Sequence, residues 1–537
     1  MKVVLAQLNF VIGDFEGNAQ KIIKHITKAK NEGADMVVFS ELSVTGYYPY
    51  DLLGKKEFIR KAEETVVKIA KHCNGIAAIT GAPSFNERGN QLFNSAFFLN
   101  NGKIECTYNK TLLSSCDNFC ECRYFEPGRN FSIIEYKGEK IAVTIGGDLD
   151  SAQNKLNQAS PVNEFIKYNP DFVVNISALP FSHNEDGQRK NELVSRAKEH
   201  GIPIVYVNQA GAYTELIFDG GSVFINERGE ITKELNYFKE DYTLVDTKKS
   251  SEINLQNNTC YIEKIHDALV LGIGDYFAKT GFRSALIGLS GGIDSAVTTA
   301  LAVRALGSEN VRVLLMPSKY SSAHSLSDAI KLAENLNIRY DIIPVQRAVD
   351  TFENELAPLF AGLPPNVTEE NIQARTRGVY AMALSNKFGN ILLNTTNKSE
   401  YAVGYGTLYG DMNGGLAVLG DVYKTDVYKL SRFINRCVEI IPENSILKPP
   451  SAELKPDQKD TDSLPEYEYL DRILFSIIEM NKSPEEIIDS GFDANTVKRV
   501  VNMINMSEYK RFQAAPILKV SSKALGAGTK IPLVARY

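Results

Sequence analysis

The sequence predicts an α/β protein of two domains, and three observations carry that prediction. Short apolar runs of strand length alternate along the whole chain with stretches whose apolar residues recur at helical spacing. The 537 residues exceed what one hydrophobic core sustains. A polar stretch at 247–260 separates a first half rich in hairpin signals from a second half of plain strand–helix alternation. The expected division is a first domain at 1–246, a linker at 247–260 and a second domain at 261–537.

Composition narrows the function. A 44% hydrophobic content is globular, and a net charge of −6 argues against a broad nucleic-acid-binding surface. No apolar run approaches the ~20 residues of a membrane span. MKVVLAQLNF leads straight into a strand pattern, so no signal peptide is expected. Seven cysteines, an odd number, point to reduced thiols and a cytoplasmic setting.

In chain order, residues 2–10 read as a strand, 16–32 as an amphipathic helix and 34–40 as a buried strand. A helix at 55–72 and a strand at 76–80 follow. The Asn101-Gly102 pair sets a hairpin between 93–99 and 103–108, and Lys137-Gly138 marks another. Strands return at 172–176, 204–207 and 222–225, with helices at 162–168 and 192–200. Hairpins mixed with crossovers predict a mixed sheet covered by helices. The second half opens with a helix at 261–279. Strands at 285–289, 311–316, 340–344 and 390–394 then alternate with helices at 296–306, 324–336, 349–360 and 369–387. That alternation predicts a parallel, doubly wound sheet with ligands beyond the strands' carboxyl ends.

The second half is organised around RSALIGLSGGIDSAVTTALAVRAL, starting at Arg283. A buried strand gives way to Ser290, Gly291 and Gly292 and then to a helix. Such a turn offers free backbone N–H groups at the positive end of a helix, where phosphate binds. Ser290 and Ser295 can donate further hydrogen bonds, and Asp294 is placed to hold magnesium. A Walker loop would need a lysine that is not there. An ordinary βα turn remains the plain alternative to a short SGG match, but the full SGGIDSA resembles the pyrophosphate loop of the ATP pyrophosphatase superfamily.

Two charges stand out in the first half, Glu41 in VVFSELSVTGY and Lys110 in CTYNKTLL. Alone, each reads as a strand-end side chain in solvent. In context they resemble two members of the Glu-Lys-Cys triad of the nitrilase family of carbon–nitrogen hydrolases, and NQAG at 208–211 and FDGGS at 218–222 strengthen the likeness. The resemblance implies an α-β-β-α sandwich, with Glu41 as general base and Lys110 as oxyanion stabiliser. The nucleophile is missing: TIGGDLD at 144–150 places Gly146 where the family carries cysteine, Gly147 at its acidic position and Asp150 at its tryptophan. Glycine cannot form a thioester. Cys116 replaces a tyrosine of the family pattern, and Leu179 replaces a small polar residue. The spacing of Cys116, Cys120 and Cys122 suits a closed zinc site poorly. A substitute nucleophile would need a thiol against Glu41 and Lys110. Thiols filling former pocket positions are the expectation.

MPSKYSSAHSLSDA, ENIQARTRG, NKSEYAVGYGTLYGD, DVYKTDVYKL, PSAELKPDQKDTDSLPEYEYLD and EYKRFQAAP resemble the glutamine-dependent, two-domain NAD synthetase family over nearly the whole chain. The resemblance implies ATP-dependent amidation of nicotinic acid adenine dinucleotide, with ATP and Mg2+ required, and the glycine at 146 in place of the nucleophile makes free ammonia the expected nitrogen source. It implies that Asp294 and Glu400 hold magnesium and that Lys424 neutralises charge at the adenylating centre. Ser290, Gly291, Gly292, Ser295, Met316 and Thr395 would then line the ATP site, and Arg377, Asp411 and Lys510 would contact the dinucleotide. An ordered lid is implied at 451–471, and Thr529 stands where the family has arginine. A homo-oligomer is expected, without nucleic-acid or membrane partners. Two alternatives stay open, glutamine use through a relocated cysteine and a non-catalytic assembly relative.

Overall fold

The computed structural model describes residues 1–86, 88–114, 120–129, 131, 133–149, 161–249 and 260–535. The chain forms two compact units, residues 1–258 and 259–537.

The first unit is a sandwich whose layers follow from strand alternation. In β1 (Lys2–Gln7), Val3 and Leu5 enter one core and Val4 and Ala6 another. The second core takes Ile22 and Ile26 of α1 (Phe15–Asn31) and Val66 and Ile69 of α2 (Lys56–Ala70). Asp14 starts α1 by accepting from the Gly17 N–H at 2.9 Å. Strands β2 (Met36–Val38), β3 (Ala77–Phe85), β4 (Leu92–Asn100) and β5 (Lys103–Asn109) extend the first sheet. The second sheet begins with β6 (Ile133–Tyr136) and β7 (Glu139–Ile145). Then come α3 (Pro161–Ile166), β8 (Phe172–Ser177), α4 (Asp186–His200) and β9 (Ile204–Asn208). A hairpin of β10 (Ala210–Tyr213) and β11 (Leu216–Asp219) precedes β12 (Val223–Ile225), β13 (Ile231–Glu234) and β14 (Asp241–Asp246). The two sheets run β14-β1-β2-β3-β4-β5 and β13-β12-β9-β8-β7-β6. Their shared core joins Leu5, Val38 and Ile79 to Val143, Val174 and Val207. The predicted strand at 34–40 ends at Val38, because the chain leaves the sheet to form the turn that carries Glu41. Helix α4 starts at Asp186, ahead of the predicted 192, and no side chain caps it.

The second unit starts with α5 (Tyr261–Thr280). Five parallel strands follow: β15 (Ala285–Gly288), β16 (Val311–Leu315), β17 (Arg339–Ile342), β18 (Ile391–Asn394) and β19 (Leu416–Ala417). Their order is β17-β16-β15-β18-β19. The chain therefore winds one way from β15 and the other way through β18, which opens a crevice at the carboxyl ends of these two neighbours. The connecting helices are α6 (Ile293–Leu306), α7 (Ala323–Asn335), α8 (Gln346–Phe360), α9 (Val367–Phe388) and α10 (Lys398–Val403). Helix α9 packs on the sheet through Ala381 against Leu286, Leu314 and Leu392. The chain closes with α11 (Lys424–Ile434), α12 (Glu443–Leu447), α13 (Tyr467–Ile478), α14 (Pro484–Asp489), α15 (Ala494–Met506) and α16 (Glu508–Arg511). Among the described residues no helix is long and apolar enough to cross a membrane.

Candidate functional site

The crevice of the second unit holds a cavity of about 510 Å³, within the range of small-molecule sites. Its wall includes Ser290, Gly292, Asp294, Ser295, Met316, Arg377, Thr395, Glu400, Asp411, Lys424 and Lys510. Gly291 is placed differently and is not among the lining residues. It has φ +79°, and a Cβ there would stand 2.1 Å from the Ser325 carbonyl oxygen, so only glycine lets the loop seat on α7.

The loop is fastened internally. The hydroxyls of Ser290 and Ser295 lie 3.0 Å apart, the Gly292 N–H donates to Ser290 Oγ at 3.2 Å, and Ser295 Oγ donates to the Gly292 carbonyl at 3.1 Å. No side chain caps α6, so its first turn offers N–H groups to an anion.

Asp294 and Glu400 stand in the first turns of α6 and α10. Lys424 binds both, with Nζ 2.5 Å from Asp294 Oδ2 and 3.5 Å from Glu400 Oε1. Asn397, fully buried, ties the pair together. Its Nδ2 donates to Asp294 Oδ1 at 3.0 Å, and its Oδ1 caps α10 by accepting from the Glu400 N–H at 3.0 Å. Burial and then the Asp294 charge push the Glu400 carboxyl up to about 8, against the pull of Lys424. Burial would draw the Lys424 ammonium down, but the carboxylates outweigh it and hold it above the ordinary lysine range. Asp460 also lines the cavity and accepts from the hydroxyls of Tyr405 at 3.0 Å and Tyr467 at 2.9 Å.

On the far wall, Arg377 Nε donates to the Met316 carbonyl at 3.0 Å. Lys510 Nζ donates to the carbonyls of Gly404 and Gly406, each at 2.7 Å. Asp411 accepts from the Thr407 N–H at 2.7 Å, and desolvation pushes its carboxyl up. Residues 451–454, 458 and 460 of the expected lid segment line the same cavity, as do Pro449 and Pro450 just before it. Glu453 anchors the segment by accepting from Ser322 Oγ at 3.0 Å and Ser325 Oγ at 2.6 Å.

In the first unit Glu41 and Lys110 are not solvent-facing charges: they are 1% and 3% exposed. Lys110 Nζ donates to Glu41 Oε1 at 2.8 Å and to both oxygens of Glu121, at 2.9 and 2.8 Å. Asn94 Nδ2 bridges the two carboxylates, at 2.6 Å from Glu41 and 3.2 Å from Glu121. Burial works against the Lys110 charge, yet Glu121 and Glu41 hold its ammonium above the ordinary range. Burial raises the Glu41 carboxyl despite Lys110. Gly146 sits at this cluster with φ +52°. A Cβ built on it would stand 2.8 Å from Lys110 Nζ and 3.1 Å from Glu41 Oε2. A side chain at 146 would thus point at both charges.

The cysteines correct the sequence reading. Cys120 and Cys122 are exposed, 3.0 Å apart at sulfur, and fill no pocket, because the buried Glu121 between them turns both outward. Cys116 and Asp150 lie outside the described residues, as do positions 250–259 of the expected linker. Leu179 is 44% exposed, one residue beyond Ala178, whose N–H donates to Glu41 Oε2 at 3.1 Å.

Comparison with known proteins accounts for both sites in one chain. Family models of carbon-nitrogen hydrolase and NAD synthase match residues 2–253 and 265–514. A glutamine-dependent NAD(+) synthetase of Synechocystis sp. is 44% identical, over 100% of this chain and 99% of that one. The chain belongs to the glutamine-dependent NAD(+) synthetase family. Another member, from Thermotoga maritima, is 39% identical over 100% of this chain and 99% of its own length. The solved Acinetobacter baumannii synthetase, in complex with ADP, aligns with a TM-score of 0.80 and 37% identity, covering 99% of this chain and 98% of that one. The Cytophaga hutchinsonii synthetase shares the fold, at TM-score 0.85 and 19% identity.

Sequence reasoning missed Glu121, Asn397 and Asp460. Asn397 and Glu400 spell N-x-x-E, a capping-box signal that could have marked the start of α10. Glu121 and Asp460 each open a three-residue 3-10 turn, too short for periodicity to mark.

Proposed function

We propose that this chain makes NAD by amidating nicotinic acid adenine dinucleotide with free ammonia at the expense of ATP. In this reading the substrate carboxylate attacks the α-phosphorus of ATP and pyrophosphate leaves. Ammonia then attacks the acyl carbon of the adenylate and AMP leaves. The open N–H groups of α6, with Ser290, Gly292 and Ser295, receive the pyrophosphate oxygens, and Lys424 offsets negative charge as it moves. Met316 and Thr395 border the nucleotide, while Arg377, Asp411 and Lys510 position the dinucleotide. The ADP of the Acinetobacter relative supports a nucleotide in this fold.

The donor set suits Mg2+. Asp294 and Glu400 are hard oxygen ligands, and the Lys424 ammonium already occupies the space between them as a stand-in cation. Among the described residues no group of three or more His, Cys, Asp or Glu side chains gathers into a metal cage. Two carboxylates completed by phosphate oxygens are the ordinary protein share of a magnesium site. Bound there, the ion would neutralise phosphate charge.

Gly146 carries the nitrogen-source reading. Glu41 and Lys110 surround a position with no sulfur, and amide hydrolysis through a thioester needs one. The names of the relatives favour a second reading, glutamine use through another nucleophile. Supplying glutamine or ammonium as sole nitrogen source and following glutamate release decides between them. We also read the chain as a homo-oligomer, which mass measurement in solution tests.

A further inference from the structure

We propose that Cys120 and Cys122 are a dithiol modification site, closed to an intramolecular disulfide by low-molecular-weight disulfides of the glutathione class. The two sulfurs stand 3.0 Å apart in the reduced chain, about 1 Å beyond a covalent S–S bond. Both thiols are exposed, so an attacking or leaving molecule can reach them.

The backbone holds them in this relation. Glu121, between them, is fully buried and fixed at both ends. Its N–H donates to the Ser114 carbonyl at 2.8 Å, and its carboxylate takes the Ser114 N–H at 2.8 Å and the Lys110 ammonium. With the middle residue anchored inward, its two neighbours project to the same solvent side of the short 3-10 turn Glu121–Arg123. The Arg123 N–H closes that turn on the Cys120 carbonyl at 3.1 Å. Cys73 is a useful contrast: it is buried, its thiol is pushed up to about 12 by desolvation, and it packs as a small apolar side chain.

The chemistry balances without metal or enzyme. One thiolate attacks a sulfur of RS–SR, the S–S bond breaks, and RS⁻ leaves with the electron pair and takes up a proton. The second thiolate attacks the resulting mixed disulfide at the protein sulfur and expels the second RS⁻. Two electrons pass from the pair to the small disulfide, and the products are one intramolecular disulfide and two RSH. Closure ties together the two neighbours of Glu121, whose carboxylate holds Lys110.

The test uses the full chain with Cys116→Ser, which removes the third thiol of the stretch. The protein is equilibrated at graded ratios of reduced to oxidised glutathione, quenched with an alkylating reagent, digested and weighed. The peptide containing 120–122 is expected to pass in one step from doubly alkylated to unalkylated and lighter by two hydrogens. Cys122→Ser in the same background is expected to trap a glutathione adduct on Cys120. Wild-type chain, digested in parallel, guards against a folding defect of the variant and is expected to show the same 120–122 bridge. Separate stable adducts on both cysteines, double alkylation at every ratio, or a wild-type bridge running to Cys116 would each overturn the proposal.

Discussion

Glu400 is where residue-scale physics makes the sharpest statement about catalysis. Burial and then the Asp294 charge push its carboxyl up to about 8, so near neutral pH a proton on Glu400 competes with a cation for the carboxylate. A divalent cation at the proposed Asp294–Glu400 site would require the carboxylate, so its binding would expel that proton. Apparent Mg2+ affinity should therefore rise with pH, about tenfold per unit, and level off above about pH 8. Mg2+ titrations with a non-hydrolysable ATP analogue on either side of pH 8 check this, and Glu400→Gln should abolish the slope. Both Glu400→Gln and Asp294→Asn should leave the fold intact and remove adenylation, read as ATP–pyrophosphate exchange. Wild-type exchange in either variant would contradict the assignment. Asn397→Ala should both slow exchange and cost about 1–2 kcal/mol in denaturant unfolding, because it deletes a helix cap as well as the Asp294 restraint. Much of this site was legible in advance, since SGGIDSA and NKSE put chemistry-bearing residues into short contiguous strings. Glu121 was not, because its meaning depends on Lys110, which approaches it only in the folded chain.

At the scale of elements, the loop between β15 and α6 depends on a single conformation. Gly291→Ala places a methyl 2.1 Å from a backbone oxygen of α7 at a positive φ, and neither can yield cheaply. It should destabilise the protein by more than about 2 kcal/mol, visible as a fall in the denaturant midpoint. Strands β15 and β18 were readable because each starts as a continuous apolar run bounded by polar turns, whereas β17 is largely polar and exposed and the two-residue β19 left no signal. The hairpin β10–β11 was not, since Ala210, Gly211 and Ala212 carry no strand propensity and tertiary packing fixes them. The start of α4 was hidden for a related reason, as it has no capping side chain.

Taken whole, the molecule carries both units of its family, and the proposed reading is that the first has lost its glutaminase nucleophile. The first unit keeps Glu41, Lys110 and a packed sandwich core, and in the proposed reading the glycine at 146 removes the covalent route to glutamine hydrolysis. Loss of a nucleophile costs about 10⁶ in rate where it has been dissected. Restoring cysteine at 146 alone should not recover the activity, because its Cβ would stand 2.8 Å from a Lys110 ammonium that two carboxylates hold and that must shift to admit it, and because Leu179 and Cys116 also depart from the family pattern. The most direct measurement is NAD formation by the purified full chain with ATP, Mg2+ and nicotinic acid adenine dinucleotide, with ammonium or glutamine as sole nitrogen source. Glutamate is assayed in the same tubes. NAD from ammonium, with neither NAD nor glutamate from glutamine, is the predicted result; glutamate and NAD released together from glutamine at rates comparable to the ammonium reaction would contradict it.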